Sequence, residues 1–237
     1  MDSKRLGIIG GMGPKATAVF MDKIIENTVA ECDQDHIDMI ILNHATLPDR
    51  TKVILEGNGD VFLHAISRDV KLLELAETAN IAIPCNTSHY YYDPIQAMTE
   101  IPIIHMVDET LREVRNRFGE NSKVGVLATN GTVRSGVYQK SCDKFNLQLH
   151  TPVDADQEQI MQVIYNVKSD IPIQPQHLEA IIHDLIGKGQ CQCVILACTE
   201  LSCIPLSPET AAYCIDAMDV LVKKSIELSG KRMKRRV

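Results

Sequence analysis

One feature constrains the fold of this chain more than any other: a series of short apolar runs and helical stretches that starts again half-way along. Gly7-Ile8-Ile9 corresponds to Gly125-Val126-Leu127, and Ile83-Pro84-Cys85-Asn86-Thr87 corresponds to Leu196-Ala197-Cys198-Thr199. His105-Met106-Val107-Asp108 resembles the later Met218-Asp219 in the same order. Apolar runs of this length that alternate with helices indicate right-handed parallel βαβ units. The chain is therefore expected to contain two similar α/β halves.

The repeat leads to a specific prediction of the architecture. We expect an α/β fold with two similar parallel-sheet domains related by pseudo-twofold symmetry, with the active site in the cleft between them. The first domain comprises residues 1–107 plus 216–237 and the second comprises 108–215. Cys85 and Cys198 each follow an equivalent strand, at the end where open α/β sheets hold their ligands. Across a pseudo-twofold axis, the two cysteines would point into one cleft from opposite sides.

Composition excludes several classes of partner. The chain has 237 residues and a formal net charge of −7, which argues against nucleic acid as its main partner. No apolar run approaches the roughly 18 residues of a membrane helix, and no membrane partner is expected. The N-terminus leads directly into Leu6-Gly7-Ile8-Ile9 without the pattern of a signal peptide. We therefore expect a cytoplasmic protein.

The cysteines are expected to be reduced thiols. There are eight of them in a chain with ample core residues, so a disulfide framework is not needed for stability. Cys191 and Cys193 lack the spacing of a zinc knuckle, and no second pair follows at a suitable distance. The sequence therefore predicts no metal site.

Two thiols on opposite faces of one carbon atom can exchange its hydrogen with inversion. One, as the thiolate, removes a proton, and the other, as the thiol, delivers a proton from the far side. Backbone N–H groups at the strand–helix junctions are expected to favour the thiolate at both cysteines. A carbanion next to a carboxylate also needs hydrogen-bond donors. The candidate donors at the same strand ends are Asn86, Thr87, Ser88, Thr129, Thr132 and Thr199.

Four motifs together resemble the aspartate/glutamate racemase family, and within it the aspartate racemase branch. They are Gly10-Gly11-Met12-Gly13-Pro14 with Ala16-Thr17, Pro48-Asp49-Arg50-Thr51, Pro84-Cys85-Asn86-Thr87, and Ala197-Cys198-Thr199-Glu200-Leu201. The order matches over nearly the whole chain. Glutamate racemases typically have Asp-Ser in the first turn and Cys-Thr-His at the second cysteine. Gly-Gly-Met and Cys-Thr-Glu here favour aspartate, or both aspartate and glutamate.

The resemblance implies roles for individual residues. Cys85 and Cys198 would be the acid/base pair of a racemase that needs no cofactor and forms a homodimer. Arg50 and Lys168 would bind the carboxylates of a dicarboxylic amino acid. An acidic protein also needs local positive charge to hold such a substrate, and Arg50 suits a bidentate carboxylate contact. Met12 would line the pocket. Glu200 would either tune Cys198 or hold the substrate ammonium.

Other functions remain open at this point. A decarboxylase or a cis–trans isomerase of a dicarboxylic acid would use chiefly one cysteine, or one as the nucleophile. A protein that binds a dicarboxylate without turning it over is a further alternative. His89, close to Cys85 in the sequence, is a candidate to assist proton exchange.

Overall fold

The computed structural model describes residues 4–234, and the first three and last three residues of the predicted first domain lie outside the described part. Seven strands occur in it: β1 (Leu6–Gly10), β2 (Met39–Asn43), β3 (Asn80–Ala82), β4 (Lys123–Leu127), β5 (Gln148–His150), β6 (Cys193–Leu196) and β7 (Cys214–Asp216). The helices are α1 (Pro14–Asn27), α2 (Arg50–Leu55), α3 (Gly59–Leu75), α4 (Tyr92–Gln96), α5 (Met106–Phe118), α6 (Asn130–Arg134), α7 (Val137–Lys144), α8 (Asp154–Lys168), α9 (Pro175–Gly187), α10 (Pro208–Ala211) and α11 (Ala217–Leu228). Short 3₁₀ helices cover Asp33–Asp35, Thr87–Tyr91 and Leu201–Cys203.

The strands form two parallel sheets. The first sheet has the order β2-β1-β3, and the second has the order β5-β4-β6-β7. β1 and β6 are buried along their whole length, as is typical of strands covered on both faces of a parallel sheet. The predicted two-sheet parallel α/β fold is confirmed.

The two sheets have equivalent topologies, which accounts for the sequence repeat. β1 and β4 each lie between the two strands that follow them in the chain. Ile103 forms a single parallel bridge with Ile81 at the edge of the first sheet. The equivalent position of the second sheet is occupied by a full strand, β7. The apolar run over residues 101–107 predicts a full fourth strand, but α5 begins at Met106, so the strand is reduced to this bridge.

The helices that follow the last position of each sheet pack together across the molecule. α5 packs against α11, and it also contacts α7 and β7 of the C-terminal half. α11 packs against α1 and contacts β3 of the N-terminal half. The division into residues 1–107 plus 216–237 and 108–215 stays a prediction. Within residues 4–234, no helix is long and apolar enough to cross a membrane.

The glycine-rich turn after β1 is required by close packing. Gly11 has φ +88°, and a Cβ on it would lie 2.4 Å from the carbonyl carbon of His44. The Thr17 hydroxyl accepts a hydrogen bond from Gly11 N (2.8 Å) and donates one to Gly13 O (2.9 Å). The glycines thus let the first turn approach the end of β2, which leaves Met12 beside the carboxyl edge of the first sheet.

Candidate active site

A cavity with an empty volume of about 410 Å³ lies where the carboxyl ends of the two sheets meet. Both cysteines line the cavity, which we call the reaction cavity. It is lined by Met12, Asp49, Arg50, Thr51, Cys85, Asn86, Thr87, Thr129, Tyr165, Lys168, Ala197, Cys198, Thr199 and Glu200. The structure therefore brings together ten of the twelve site residues predicted from the sequence.

Cys85 is held at the end of β3 by its backbone. Its N–H donates to Ile83 O (2.7 Å), and its carbonyl oxygen lies 2.9 Å from Nδ1 of the buried His89. Nε2 of His89 accepts from Met106 N (3.0 Å), which fits a neutral ring with its proton on Nδ1. Burial, with the nearby His105, lowers the pKa of His89 to about 4. Because both ring nitrogens are bonded to backbone, His89 positions Cys85 and is not placed to relay protons.

Cys198 is held by a carboxylate. Its thiol donates to Glu200 Oε2 (2.9 Å), and Leu201 N bonds to its carbonyl oxygen (2.9 Å). Burial, followed by the charge and hydrogen bond of Glu200, raises the pKa of Cys198 well above the usual range. Our expectation that the strand–helix junction favours a thiolate is therefore wrong for Cys198. The resting side chain is a thiol, able to donate a proton.

Glu200 also binds the cation of the site. Its Oε1 accepts a hydrogen bond from Lys168 Nζ (2.6 Å), at the last residue of α8. Burial opposes the charge on Lys168, but the charge and hydrogen bond of Glu200 outweigh it and leave the pKa of Lys168 raised. One carboxylate therefore joins a cation and the Cys198 thiol. The structure favours a tuning role for Glu200 over capture of the substrate ammonium.

Replacing Glu200 by glutamine should lower the pKa of Cys198. The substitution removes the negative charge that opposes the thiolate and leaves Lys168 beside it. We expect the midpoint for iodoacetamide alkylation of Cys198 to fall by about one pH unit or more, followed by peptide mass spectrometry. Glu179→Gln, at a partly exposed carboxylate outside the cavity, is the matched control. An unchanged midpoint in the Glu200→Gln protein would contradict the tuning role.

A cluster of hydroxyl groups joins the two halves at the floor of the cavity. The Thr87 hydroxyl lies 2.7 Å from that of Thr132 and 3.2 Å from that of Thr129. The Thr199 hydroxyl donates across the same junction to Pro84 O (3.3 Å). These contacts set the separation of the two strand ends, and Thr87, Thr129 and Thr199 present polar groups to the cavity.

Asn86 is oriented so that its amide N–H₂ is available. Its Oδ1 accepts a hydrogen bond from the buried Tyr138 hydroxyl (2.7 Å). Its Nδ2 is buried without a hydrogen-bond partner. A buried unpaired donor is costly, and a ligand oxygen would satisfy it. Asn86 therefore carries an unsatisfied donor beside the cavity that it lines.

Arg50 stands at the first residue of α2, beside the Asp49 N-cap. Its Nη1 donates to Pro48 O (2.7 Å) and Leu47 O (3.2 Å), while its Nε is buried without a partner. The backbone contacts hold the guanidinium at the cavity wall, and its Nε is left as a donor without an acceptor among the described residues.

Ser88 and Thr132 are the two predicted site residues that do not reach the cavity surface. Both are buried: Ser88 donates to Met12 Sδ (3.3 Å), and Thr132 bonds to Thr87. The 3₁₀ helix that begins at Thr87 turns Ser88 away from the cavity, and Thr132 lies one turn inside α6. We therefore assign them to the support of Met12 and Thr87.

Four residues that line the cavity were not singled out by the sequence. The motifs quoted above include Asp49, Thr51 and Ala197, so the sequence already places these three next to predicted site residues. Tyr165, on α8, had no local signal. The packing of α8 brings it to the cavity together with Lys168, which lies three residues further along the same helix.

All eight cysteines are free thiols. In the C-terminal half, four of them are buried: Cys142, Cys191, Cys193 and Cys198. Within residues 4–234, no group of three or more His, Cys, Asp or Glu side chains is arranged to hold a metal ion.

Comparison with known proteins gives a consistent picture. A family model described as Asp/Glu/Hydantoin racemase matches residues 9–225. The broad specificity amino-acid racemase RacX of Bacillus subtilis (strain 168) is 32% identical over 227 residues, which cover 93% of this chain and 96% of that relative.

Solved structures show the same similarity. The Picrophilus torridus aspartate racemase superposes with a TM-score of 0.85 at 32% identity, covering 98% of this chain and 96% of that one. The glutamate racemase of Campylobacter jejuni has a TM-score of 0.61 at 17% identity, covering 98% and 88%. At that identity it shares the fold alone.

Proposed function

Because the chain belongs to the Asp/Glu/hydantoin racemase family and is by that membership an amino-acid racemase, we propose that it inverts Cα of aspartate and related amino acids by proton transfer between Cys85 and Cys198. One observation carries the proposal: the two cysteines follow equivalent strands of the two sheets and line the same cavity. Buried cysteine is common in protein cores, but two at matched positions facing one cavity are not explained by packing.

The proposed step balances protons with these two groups alone. The Cys85 thiolate removes the Cα proton, and the Cys198 thiol delivers its proton to the opposite face. Cys85 ends as the thiol and Cys198 as the thiolate, with Lys168 close enough to stabilise it. The reverse reaction uses the same groups in the opposite roles. Proton transfer of this kind contributes roughly 10²–10⁴-fold for each group.

The carbanion requires stabilisation at the substrate carboxylate. Its oxygens gain charge as the Cα–H bond breaks, and preorganised donors are most effective at that point. Asn86 Nδ2 is buried and unpaired, and the hydroxyls of Thr87 and Thr129 stand beside it in the cavity wall. We assign the α-carboxylate to this group of donors, and no cofactor is required by the step as written.

The names of two similar proteins indicate different ranges of substrate. The Picrophilus torridus protein is named an aspartate racemase, and the Bacillus subtilis protein is named a broad specificity amino-acid racemase. Arg50 and Lys168 in the cavity wall support a substrate with a second carboxylate, as does the resemblance on which the aspartate assignment first rested. We therefore propose aspartate as a substrate and not as the only one.

Incubation with L-aspartate in deuterated water tests the function. We expect deuterium at Cα together with D-aspartate, without added pyridoxal phosphate and without inhibition by hydroxylamine. Mass spectrometry and chiral chromatography measure the two products. Loss of carbon dioxide would support the decarboxylase, and binding without exchange or turnover would support the dicarboxylate-binding protein. The proposed racemase would be contradicted if one of these two results were obtained with aspartate and also with the glutamine and methionine tested below.

We also propose that the protein forms a homodimer and is located in the cytoplasm. β2 is the outer strand of the first sheet, and its residues Met39–Leu42 are only half-buried, which suits a homodimer contact along that edge. Light scattering of the purified chain would give the mass directly. The eight free thiols fit the reducing environment of the cytoplasm.

A further inference from the structure

A second cavity adjoins the reaction cavity. It has an empty volume of about 690 Å³ and shares Asp49, Arg50, Lys168 and Glu200 with the first. We call it the outer chamber. The rest of its lining consists of Gly11, Gly13, Pro14, Lys15, Ala16, Ala45, Leu47 and Val167. The four shared residues thus form the boundary between the cysteines and a larger space.

The position of the chamber indicates which part of a substrate would reach it. Cys85, Cys198, Asn86, Thr87 and Thr129 line the reaction cavity and not the outer chamber. A substrate whose Cα lies between the sulfurs and whose carboxylate meets Asn86 therefore has its side chain free to extend toward the shared residues. Beyond them lies the outer chamber.

The size and lining of the chamber fit a long side chain. Two glycines and two alanines leave room at its wall, and Leu47 and Val167 add buried apolar surface. Gly13 faces the boundary closely, because a Cβ there would lie 3.0 Å from Glu200 Oε1 and 3.8 Å from Lys168 Nζ. A side chain at this position would therefore crowd the boundary between the two cavities.

The charges at the chamber are balanced. Lys168 is paired with Glu200 (2.6 Å), and Lys15 at the rim is paired with Asp170 (2.5 Å). Asp49 and Arg50 are neighbours in the boundary. Counting Asp170, the wall carries three cations and three acids. It therefore has no net charge to hold an ionised side chain that extends past Arg50, whereas its donors and acceptors suit a neutral polar group.

We propose that the outer chamber is the side-chain subsite of this racemase and admits unbranched, uncharged side chains longer than that of aspartate, such as those of glutamine and methionine. The proposal rests on the proposed function, since it takes Cα to lie between Cys85 and Cys198. It predicts a racemase whose substrates extend beyond acidic amino acids.

Filling the chamber tests the proposal. Ala45 is exposed at its rim, so Ala45→Leu adds volume there without disturbing the core. Using the full chain, we would measure kcat/KM for L-aspartate, L-glutamine and L-methionine by deuterium exchange and chiral chromatography. We expect the parent to racemise all three. In Ala45→Leu, we expect kcat/KM for glutamine and methionine to fall about tenfold or more relative to aspartate.

Ala45→Ser is the matched control, because it changes the residue with little change in volume; the ratios should stay near those of the parent. Circular dichroism and urea denaturation of each variant establish that it is folded. A parent that racemises aspartate but neither longer substrate overturns the subsite alone, as does an equal loss on all three in folded Ala45→Leu. A parent that exchanges Cα of none of them overturns the proposed function itself, and the subsite with it.

Discussion

Replacing either Cys85 or Cys198 by alanine should abolish racemisation while leaving the protein folded. Inversion needs a base on one face of Cα and an acid on the other, so each variant loses one of the two steps. We expect the rate of inversion to fall by at least about 10²–10⁴-fold, the usual contribution of one general acid or base. Chiral chromatography of reactions started from each enantiomer gives the measurement.

The remaining thiol gives this experiment a second signal. In each single variant, the surviving cysteine can still remove the Cα proton of one enantiomer and return deuterium from solvent to the same face. We expect slow exchange with retention of configuration for one enantiomer, and the opposite enantiomer for the other variant. A merely structural role for either cysteine would not produce this reciprocal pattern.

Cys191→Ala is the matched control for loss of a buried thiol. Cys191 is 5% exposed and lies outside both cavities. This variant should racemise at the parent rate and lose little stability. Parent-rate racemisation by Cys85→Ala or by Cys198→Ala would instead rule out the two-base assignment.

The second large effect is expected at the ion pair that borders both cavities. Lys168→Met leaves the carboxylate of Glu200, which is 3% exposed, without its cation. Removing one partner of a buried pair costs roughly 3–5 kcal/mol of unfolding free energy. We expect a loss of about 3 kcal/mol in urea denaturation, since Lys168 itself is partly exposed, together with loss of racemisation.

A double variant separates stability from catalysis at this pair. Lys168→Met with Glu200→Gln removes both charges, so most of the lost stability should return while racemisation does not. Full activity in the double variant would contradict a role for the pair at the site. The raised pKa of Lys168 also has a consequence for the parent. The stability that the pair contributes is present below the usual lysine pKa and is lost as the pH rises through the raised value.

The contacts of Glu200 determine how the two cysteines differ in the resting protein. Glu200 holds the Cys198 thiol through one oxygen and Lys168 through the other. Among the described residues, none forms a hydrogen bond with Cys85 Sγ, so the two cysteines are not equivalent although their strands are. The symmetry of the fold therefore supplies two opposed thiols, and Glu200 makes them different.

The fold was predictable because its signals are local. A buried strand in a parallel sheet is a short apolar run, and the repeat of Gly7-Ile8-Ile9 as Gly125-Val126-Leu127 identified β1 and β4 as equivalents. The predicted strand over 101–107 failed for a local reason as well. The end of the run overlaps the start of α5 at Met106, where the His105 side chain caps the helix by accepting a hydrogen bond from Asp108 N (3.2 Å).

The sequence by itself determined that two cysteines stand at the ends of equivalent strands, because strand position depends on the residues within each run. Only the tertiary structure decided what surrounds them. Tyr138 orients Asn86 from far along the chain, and Tyr165 reaches the cavity on a helix with no local sign of it. The pairing of Lys168 with Glu200, and the chamber behind it, likewise arise from elements that meet only in the packed protein, where no pattern within one segment specifies the contact.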